Sequence, residues 1–295
     1  MDEDYRELRF DTDGYLFDNE PDFNYDQDDF TLTDPDFSDL DFNDYSLEEP
    51  DIILDVPYVP TDTKIVAAML DFAAVSSKDL LYDLGCGDGR IVVTAALDRN
   101  TKGVGIDLDP QRIAEAMEFA GNTGVEHLVE FYEGDLLEVD FSQATVVTLY
   151  LLDLVNVQLR PRLLNELRPG TRIVSHAFNM GDWKHDKRSN FGSVNLYLWI
   201  VPAQVAGTWQ WQTTNGDVYQ VELQQKYQKV QGSAWINSAP ARLKNVLLRG
   251  DLLELIFQPQ HKQGRPYSFV MRYHNKQLHA VAEDSLQATT AIKVV

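Results

Sequence analysis

The sequence holds a single cysteine, Cys86, which excludes an internal disulfide. No apolar stretch reaches the ~18 residues that a membrane-crossing helix requires. No long run of lysine and arginine marks a nucleic-acid footprint. The N-terminus carries neither a basic segment nor an apolar one, so no signal peptide is expected. No repeat of solenoid period is present. Histidine, cysteine and carboxylates do not cluster at metal-ligand spacing, so no metal is expected. A soluble cytoplasmic protein is the expectation these absences leave.

Acid, in contrast, is abundant and unevenly placed. Of a net charge of −22, residues 1–50 carry −17, from 19 Asp and Glu against 2 Arg, and the other 245 residues carry only −5. The first 50 residues repeat Asp-Phe at 22–23, 29–30, 36–37 and 41–42 without a helical or strand period that could bury those rings. Charge repulsion at this density opposes collapse, and the segment reads as a disordered acidic tail. It serves either solubility or the binding of a basic partner. The apolar fraction of 44% supplies a sizeable core for the rest.

From residue 52 the pattern is that of a folded domain. Thr61 is the expected N-cap of a helix carrying Ile65, Val66, Met69, Leu70 and Phe72. Strands are expected at Leu80–Leu84, Gly103–Leu108, Val129–Tyr132, Ala144–Leu152 and Thr171–Ser175. Helices are expected at Ile91–Leu97, Gln111–Phe119 and Arg160–Leu167. The alternation predicts an α/β fold, a Rossmann-like doubly wound parallel sheet over 52–201. Beyond Pro202, eight short strand candidates follow without helices, with turns at Gly250–Asp251 and His274–Asn275. Residues 203–295 therefore read as a C-terminal antiparallel all-β domain, closed as a barrel or folded as a sandwich.

The informative stretch is Leu80-Leu-Tyr-Asp-Leu-Gly-Cys-Gly-Asp-Gly-Arg90. An apolar strand containing Asp83 runs into glycines at 85, 87 and 89, and a helix follows. Such a turn sits at the carboxyl edge of the first strand, where open α/β sheets bind ligands. Glycine lets the backbone approach a ligand closely. The spacing Gly85-x-Gly87-x-Gly89 is not that of dinucleotide sites, and Asp88 would repel a phosphate. Asp83 is placed to face the cationic amine of a methionine moiety. Asp107, with Leu108 beside it, ends the second strand, where a carboxylate accepts both ribose hydroxyls. Asp135 follows the third strand and can accept from an adenine amino group, while the Leu136 amide donates to the ring.

These three elements resemble motifs one, two and three of the class I S-adenosylmethionine (SAM)-dependent methyltransferases. Val56-Pro-Tyr-Val-Pro-Thr61, the Asp88–Val92 run and Asp182-Trp183 resemble the protein lysine methyltransferase group that includes the ATP synthase c-subunit enzyme. Thr148-Leu-Tyr-Leu-Leu152 resembles related bacterial methyltransferases of unassigned substrate. The resemblance implies SAM as cofactor, methyl transfer by direct displacement and a protein lysine as acceptor. A small-molecule O- or N-methyltransferase is the alternative, and a SAM-binding interaction protein without transfer activity is a third reading. The fourth strand runs on as Thr148–Asp153, without the Asn/Asp-Pro-Pro-Tyr/Phe that methyltransferases of base amino groups carry, which argues against DNA.

Five further positions carry alternatives. Cys86 reads as an inert loop thiol. Tyr150 is a candidate catalytic residue beside the methyl group, or it simply packs. His176 could accept the proton a lysine must lose, or be satisfied by local hydrogen bonds. Asp182 and Trp183 could shape a substrate mouth, with the indole face attracting an ammonium.

Overall fold

The computed structural model describes residues 58–259, 266–281 and 290–294. The acidic tail expected to be disordered, and Val56 and Pro57, lie outside the described residues.

The first helix, α1 (Thr63–Phe72), buries Ile65, Val66, Met69 and Leu70 on one face. Its N-cap is Asp62, whose carboxylate accepts the Lys64 amide at 2.8 Å, and not Thr61. The Thr61 hydroxyl instead lies 3.3 Å from Nδ1 of His176, so a distant partner outcompetes the local cap. Strands and helices then alternate: β1 (Leu80–Leu84), α2 (Arg90–Arg99), β2 (Lys102–Asp107), α3 (Pro110–Thr123) and β3 (Val129–Glu133). They continue with β4 (Val146–Leu149), α4 (Asp153–Glu166) and β5 (Arg172–His176).

β4 is four fully buried residues, much shorter than the expected Ala144–Leu152. The apolar run continues past the strand because Leu151 is still buried, beneath Gly85. α4 begins at Asp153, seven residues before its expected start, and accommodates Pro161 in its interior. Burial of Asn156, Leu159 and Leu163 against the sheet outweighs the proline there.

Two strands escaped the sequence reading, β6 (Lys187–Phe191) and β7 (Val194–Ile200). They complete a seven-stranded sheet of order β3-β2-β1-β4-β5-β7-β6. β1 to β5 pair in parallel, whereas β7 runs antiparallel to β5 and β6 antiparallel to β7. The core is thus a Rossmann-like mixed sheet, not a wholly parallel one. The chain reverses its direction of winding between β1 and β4, and the crevice at that point is where such sheets take ligands.

The C-terminal strands are β8 (Gly207–Gln212), β9 (Val218–Lys226), β10 (Lys229–Ile236), β11 (Ala239–Arg249) and β12 (Leu252–Pro259). β13 (Tyr267–His274), β14 (Gln277–Ala280) and β15 (Thr290–Val294) complete the set. They close as a barrel when β15 pairs with β8, which decides between barrel and sandwich. β12 alternates buried and partly buried residues, as a strand with one face inward must. The interior is filled by rings of Trp211, Tyr219, Phe257 and Phe269 in edge-to-face and stacked contacts. The barrel interior is therefore a packed core. The turn after β13 sits at Asn275–Lys276, one residue beyond its expected place, with both residues left-handed.

Asp182 and Trp183 form the junction between sheet and barrel. Asp182 accepts from Arg160 on α4 at 2.6 Å, and pairs with Lys226 at 2.9 Å and with the Tyr227 hydroxyl at 2.9 Å after β9. Trp183 is only 1% exposed, donates its indole N–H to Gln228 and stacks on Tyr227. This corrects the expectation of a substrate mouth: a buried indole face has no access for an ammonium. Among the described residues no helix is long and apolar enough to cross a membrane.

Candidate active site

The turn after β1 is set by two local facts. The Gly85 and Cys86 amides both donate to the Ile106 carbonyl at 2.9 Å, which folds the loop back over β2. Gly87 and Gly89 then adopt φ of 51° and 74°, in the left-handed region. A Cβ on Gly87 would lie 2.4 Å from the Tyr58 ring, and one on Gly89 would lie 2.7 Å from Phe131 and Ala116. Gly89 caps α2 and packs α2 onto α3 and β3, outside the cleft, whereas Gly85 and Gly87 line it.

The cleft is a cavity of about 130 Å³ at the carboxyl ends of β1, β2 and β4. Its walls bring together Asp83, Gly85, Gly87, Asp107, Leu108, Asp135, Leu136 and Tyr150, all singled out from the sequence. Asp107 accepts the Gly87 amide on Oδ2 at 2.8 Å and the Asp109 amide on Oδ1 at 3.0 Å. It thus ties the glycine loop to the end of β2 and keeps further lone pairs for a ligand. Asp135 accepts the Leu137 amide on Oδ1 at 2.8 Å, which orients its carboxylate.

Asp83 is 2% exposed and receives the Thr148 hydroxyl at 2.6 Å. Burial pushes its carboxyl up to about 7. The Thr148 hydrogen bond opposes the shift, and the charges of Asp107 and Asp88 add to it. Burial likewise raises the Cys86 thiol, which stays protonated and matches the inert reading.

Several residues of the site were not singled out from the sequence. Tyr58 covers Gly87 and carries the Arg112 guanidinium over its ring at 4.4 Å. Arg90 donates from Nη2 to Asp88 at 2.6 Å and from Nη1 to the Thr61 carbonyl at 2.7 Å, strapping residues 58–61 across the glycine loop. Tyr58 and Thr148 stood only inside motifs quoted for resemblance, Thr61 was read only as an N-cap and Arg90 only as the end of the glycine stretch. The contacts of Tyr58 with Gly87, of Thr148 with Asp83 and of Arg90 with Thr61 span too much sequence to be read locally.

Tyr150 ends the wall on the far side. His176 does not border the cavity. It lies behind Tyr150, its ring stacked at 3.7 Å, and Phe178 flanks the tyrosine at 6.1 Å. Burial pulls His176 down to about 4, so the imidazole is neutral at neutral pH.

The chemistry of this donor set fits SAM. Carboxylates at 83, 107 and 135 suit an ammonium, a ribose diol and an adenine amino group. The cleft's cations are already committed, Arg90 to Asp88 and Arg112 to Glu115, which leaves little to hold a pyrophosphate. A mixed Rossmann-like sheet with an acidic, glycine-lined cleft at its switch point defines a SAM-dependent methyltransferase.

A family model described as the ANTKMT methyltransferase domain matches residues 83–187. A protein-lysine N-methyltransferase of Saccharolobus islandicus is 47% identical over 151 residues, covering 50% of this chain and 94% of that protein. The chain belongs to the same methyltransferase family as this archaeal enzyme. The ATP synthase c-subunit lysine N-methyltransferase of Xenopus laevis is 33% identical over 133 residues, covering 45% of this chain and 58% of that relative's length. A solved structure described as an RNA methyltransferase from Salinibacter ruber, in complex with S-adenosyl-L-homocysteine, is 49% identical. It covers 50% of this chain and 96% of that one, with a TM-score of 0.49.

Proposed function

We propose that the protein methylates a lysine side chain of another protein. The observation that carries this reading is the 47% identity to a protein-lysine N-methyltransferase across 94% of that relative. The cleft supports it. Asp83 faces the amino-acid end of SAM, Asp107 the ribose, and Asp135 with Leu136 the adenine. SAM, when bound, would supply a methyl group on a sulfonium, whose departing thioether is neutral and needs no acid assistance. The protein then has chiefly to orient the acceptor, and alignment is worth several kcal/mol in such reactions.

Tyr150 forms the acceptor wall, with Phe178 beside it and Leu151 and Val155 next to it along the cleft. His176 acts as a positioning residue behind Tyr150 and not as the base, because it is withdrawn from the cavity wall. The amine loses its proton to solvent. The region 52–201 carries the transfer chemistry and the barrel, 203–295, begins beyond Pro202. An acidic, disulfide-free chain of this kind fits a cytoplasmic place.

Two measurements test the reading. In thermal shift, SAM and its demethylated product stabilise the protein, by about 2.7 kcal/mol at ~100 times the dissociation constant, and NAD does not. Stabilisation by NAD alone overturns it. In the second, cell extract is incubated with isotopically labelled SAM and the full chain, or a chain lacking residues 1–50. Mass spectrometry is expected to find label on lysine Nζ of proteins; label confined to small molecules refutes the acceptor. The tail's net −17 should recruit basic acceptors, so the truncated chain labels them more slowly at low salt. That difference should fade as the Debye length falls from ~10 Å at 0.1 M to ~3 Å at 1 M. Equal rates in both chains at low salt remove the recruiting role.

A further inference from the structure

The parallel register of β1 on β4 sets Asp83 opposite Thr148. Both side chains are buried, and their oxygens lie 2.6 Å apart. The hydroxyl has a second acceptor, the Tyr82 carbonyl at 3.4 Å. These two acceptors serve two protonation states. When Asp83 is ionised, the hydroxyl donates to its Oδ1. When Asp83 is protonated, the carboxyl donates to Thr148 Oγ1 and the hydroxyl turns to Tyr82. Neither state leaves a buried polar group without a partner, and only hydrogens move.

The charged neighbours of Asp83 are carboxylates, Asp107 on β2 and Asp88 in the glycine loop, with the neutral Cys86 thiol beside them. The guanidinium in this corner, Arg90, is committed to Asp88 and to the Thr61 carbonyl. A buried carboxyl among like charges holds its proton, and an arriving ammonium favours its loss.

We propose that Asp83 releases its proton to solvent when SAM binds, and that Thr148 is the positioning residue that sets how readily it does so. The Asp83 O–H bond breaks, the proton passes to buffer, and the carboxylate pairs with the ligand's ammonium. The inference rests on the placement of the amino-acid end of SAM against Asp83. It also fixes a sign for the unliganded protein. A carboxyl that titrates near 7 folded and near ~3.9 unfolded binds more protons in the native state between those values. Stability without ligand therefore falls as pH rises through that window.

Calorimetry of SAM binding between about pH 5.5 and 7.5, in buffers of different ionisation enthalpy, tests the proposal. The ligand's own amino group titrates near ~7.7–8.0, so it is largely protonated at and below pH 7, where the release is read. Wild-type affinity is expected to rise by up to about tenfold per pH unit as pH climbs toward 7, with about half a proton released at pH 7. Thr148→Val removes the donor that stabilises the carboxylate. It should bind SAM roughly tenfold or more weakly at pH 7, release nearly a whole proton there, and approach the wild type at higher pH. Thr148→Ser should restore the wild-type profile. Asp83→Asn should lose this proton release altogether.

Equal proton release by wild type and a folded Asp83→Asn protein overturns the assignment of the proton. An unshifted pH profile in a folded Thr148→Val protein overturns the role of Thr148. Absence of SAM binding by the wild type at every pH overturns the reading of the cleft, and this inference with it.

Discussion

Trp183→Ala is expected to destabilise the protein by about 3–5 kcal/mol, the range for deleting a large buried aromatic side chain. The indole is 1% exposed and sits between the sheet and the barrel, stacked on Tyr227 and tilted against Trp199. Its N–H bond to Gln228 at 3.1 Å is lost with it, leaving the amide of Gln228 without that partner. The Trp199 indole still donates to the Trp183 carbonyl, since that contact is to the backbone. Denaturant unfolding measures the loss. Because Trp183 borders no part of the cleft, SAM affinity in the folded fraction should be unchanged. A variant that keeps wild-type stability but loses acceptor labelling would restore Trp183 to a substrate mouth and refute the junction role.

Asp107→Ala is expected to weaken SAM binding by about 1.5–3 kcal/mol, roughly 10–150-fold, the worth of hydrogen bonds to a charged group. Two effects combine. The carboxylate that would accept the ribose hydroxyls is gone, and the Gly87 amide, bonded to Oδ2 at 2.8 Å, loses its partner. The second effect loosens the loop that covers the cofactor, so the loss should lie toward the upper end of that range. The fold should survive, because Asp107 is only partly buried and ends β2. Titration calorimetry on the folded variant settles the matter: an unchanged dissociation constant sinks the assignment of Asp107 to the ligand.

Much of the site was legible because its signals are local. Gly85, Gly87 and Gly89 follow a strand and precede a helix, and the strand-turn-helix context can be read within eleven residues. Asp107 and Asp135 were found the same way, since each lies at or just beyond the carboxyl end of a strand. The barrel was legible as eight short strand candidates without helices, and its closure was not, because closure depends on β15 pairing with β8, as Ile292 does with Gln210, from the far end of the domain. β6 was missed because the exposed, charged Lys187–Phe191 shows no buried alternation, whereas the apolar run Val194–Ile200 of β7 was open to a sequence reading and was passed over. The place of β7 beside β5, and of β6 beside β7, comes from pairing and not from pattern.

The sequence by itself determined the class of cofactor and pointed to the edge of the sheet where the cleft lies, since glycine conformation and strand-end carboxylates are properties of neighbouring residues. Tertiary structure decided which side chains act on those residues. Thr148 meets Asp83 from 65 residues away through the parallel register, Tyr58 lies on Gly87, and His176 stands behind Tyr150 instead of in the cleft. Trp183 became a junction residue for the same reason. Each of these pairings joins segments far apart in the chain, where register and packing, and not local propensity, choose the partner.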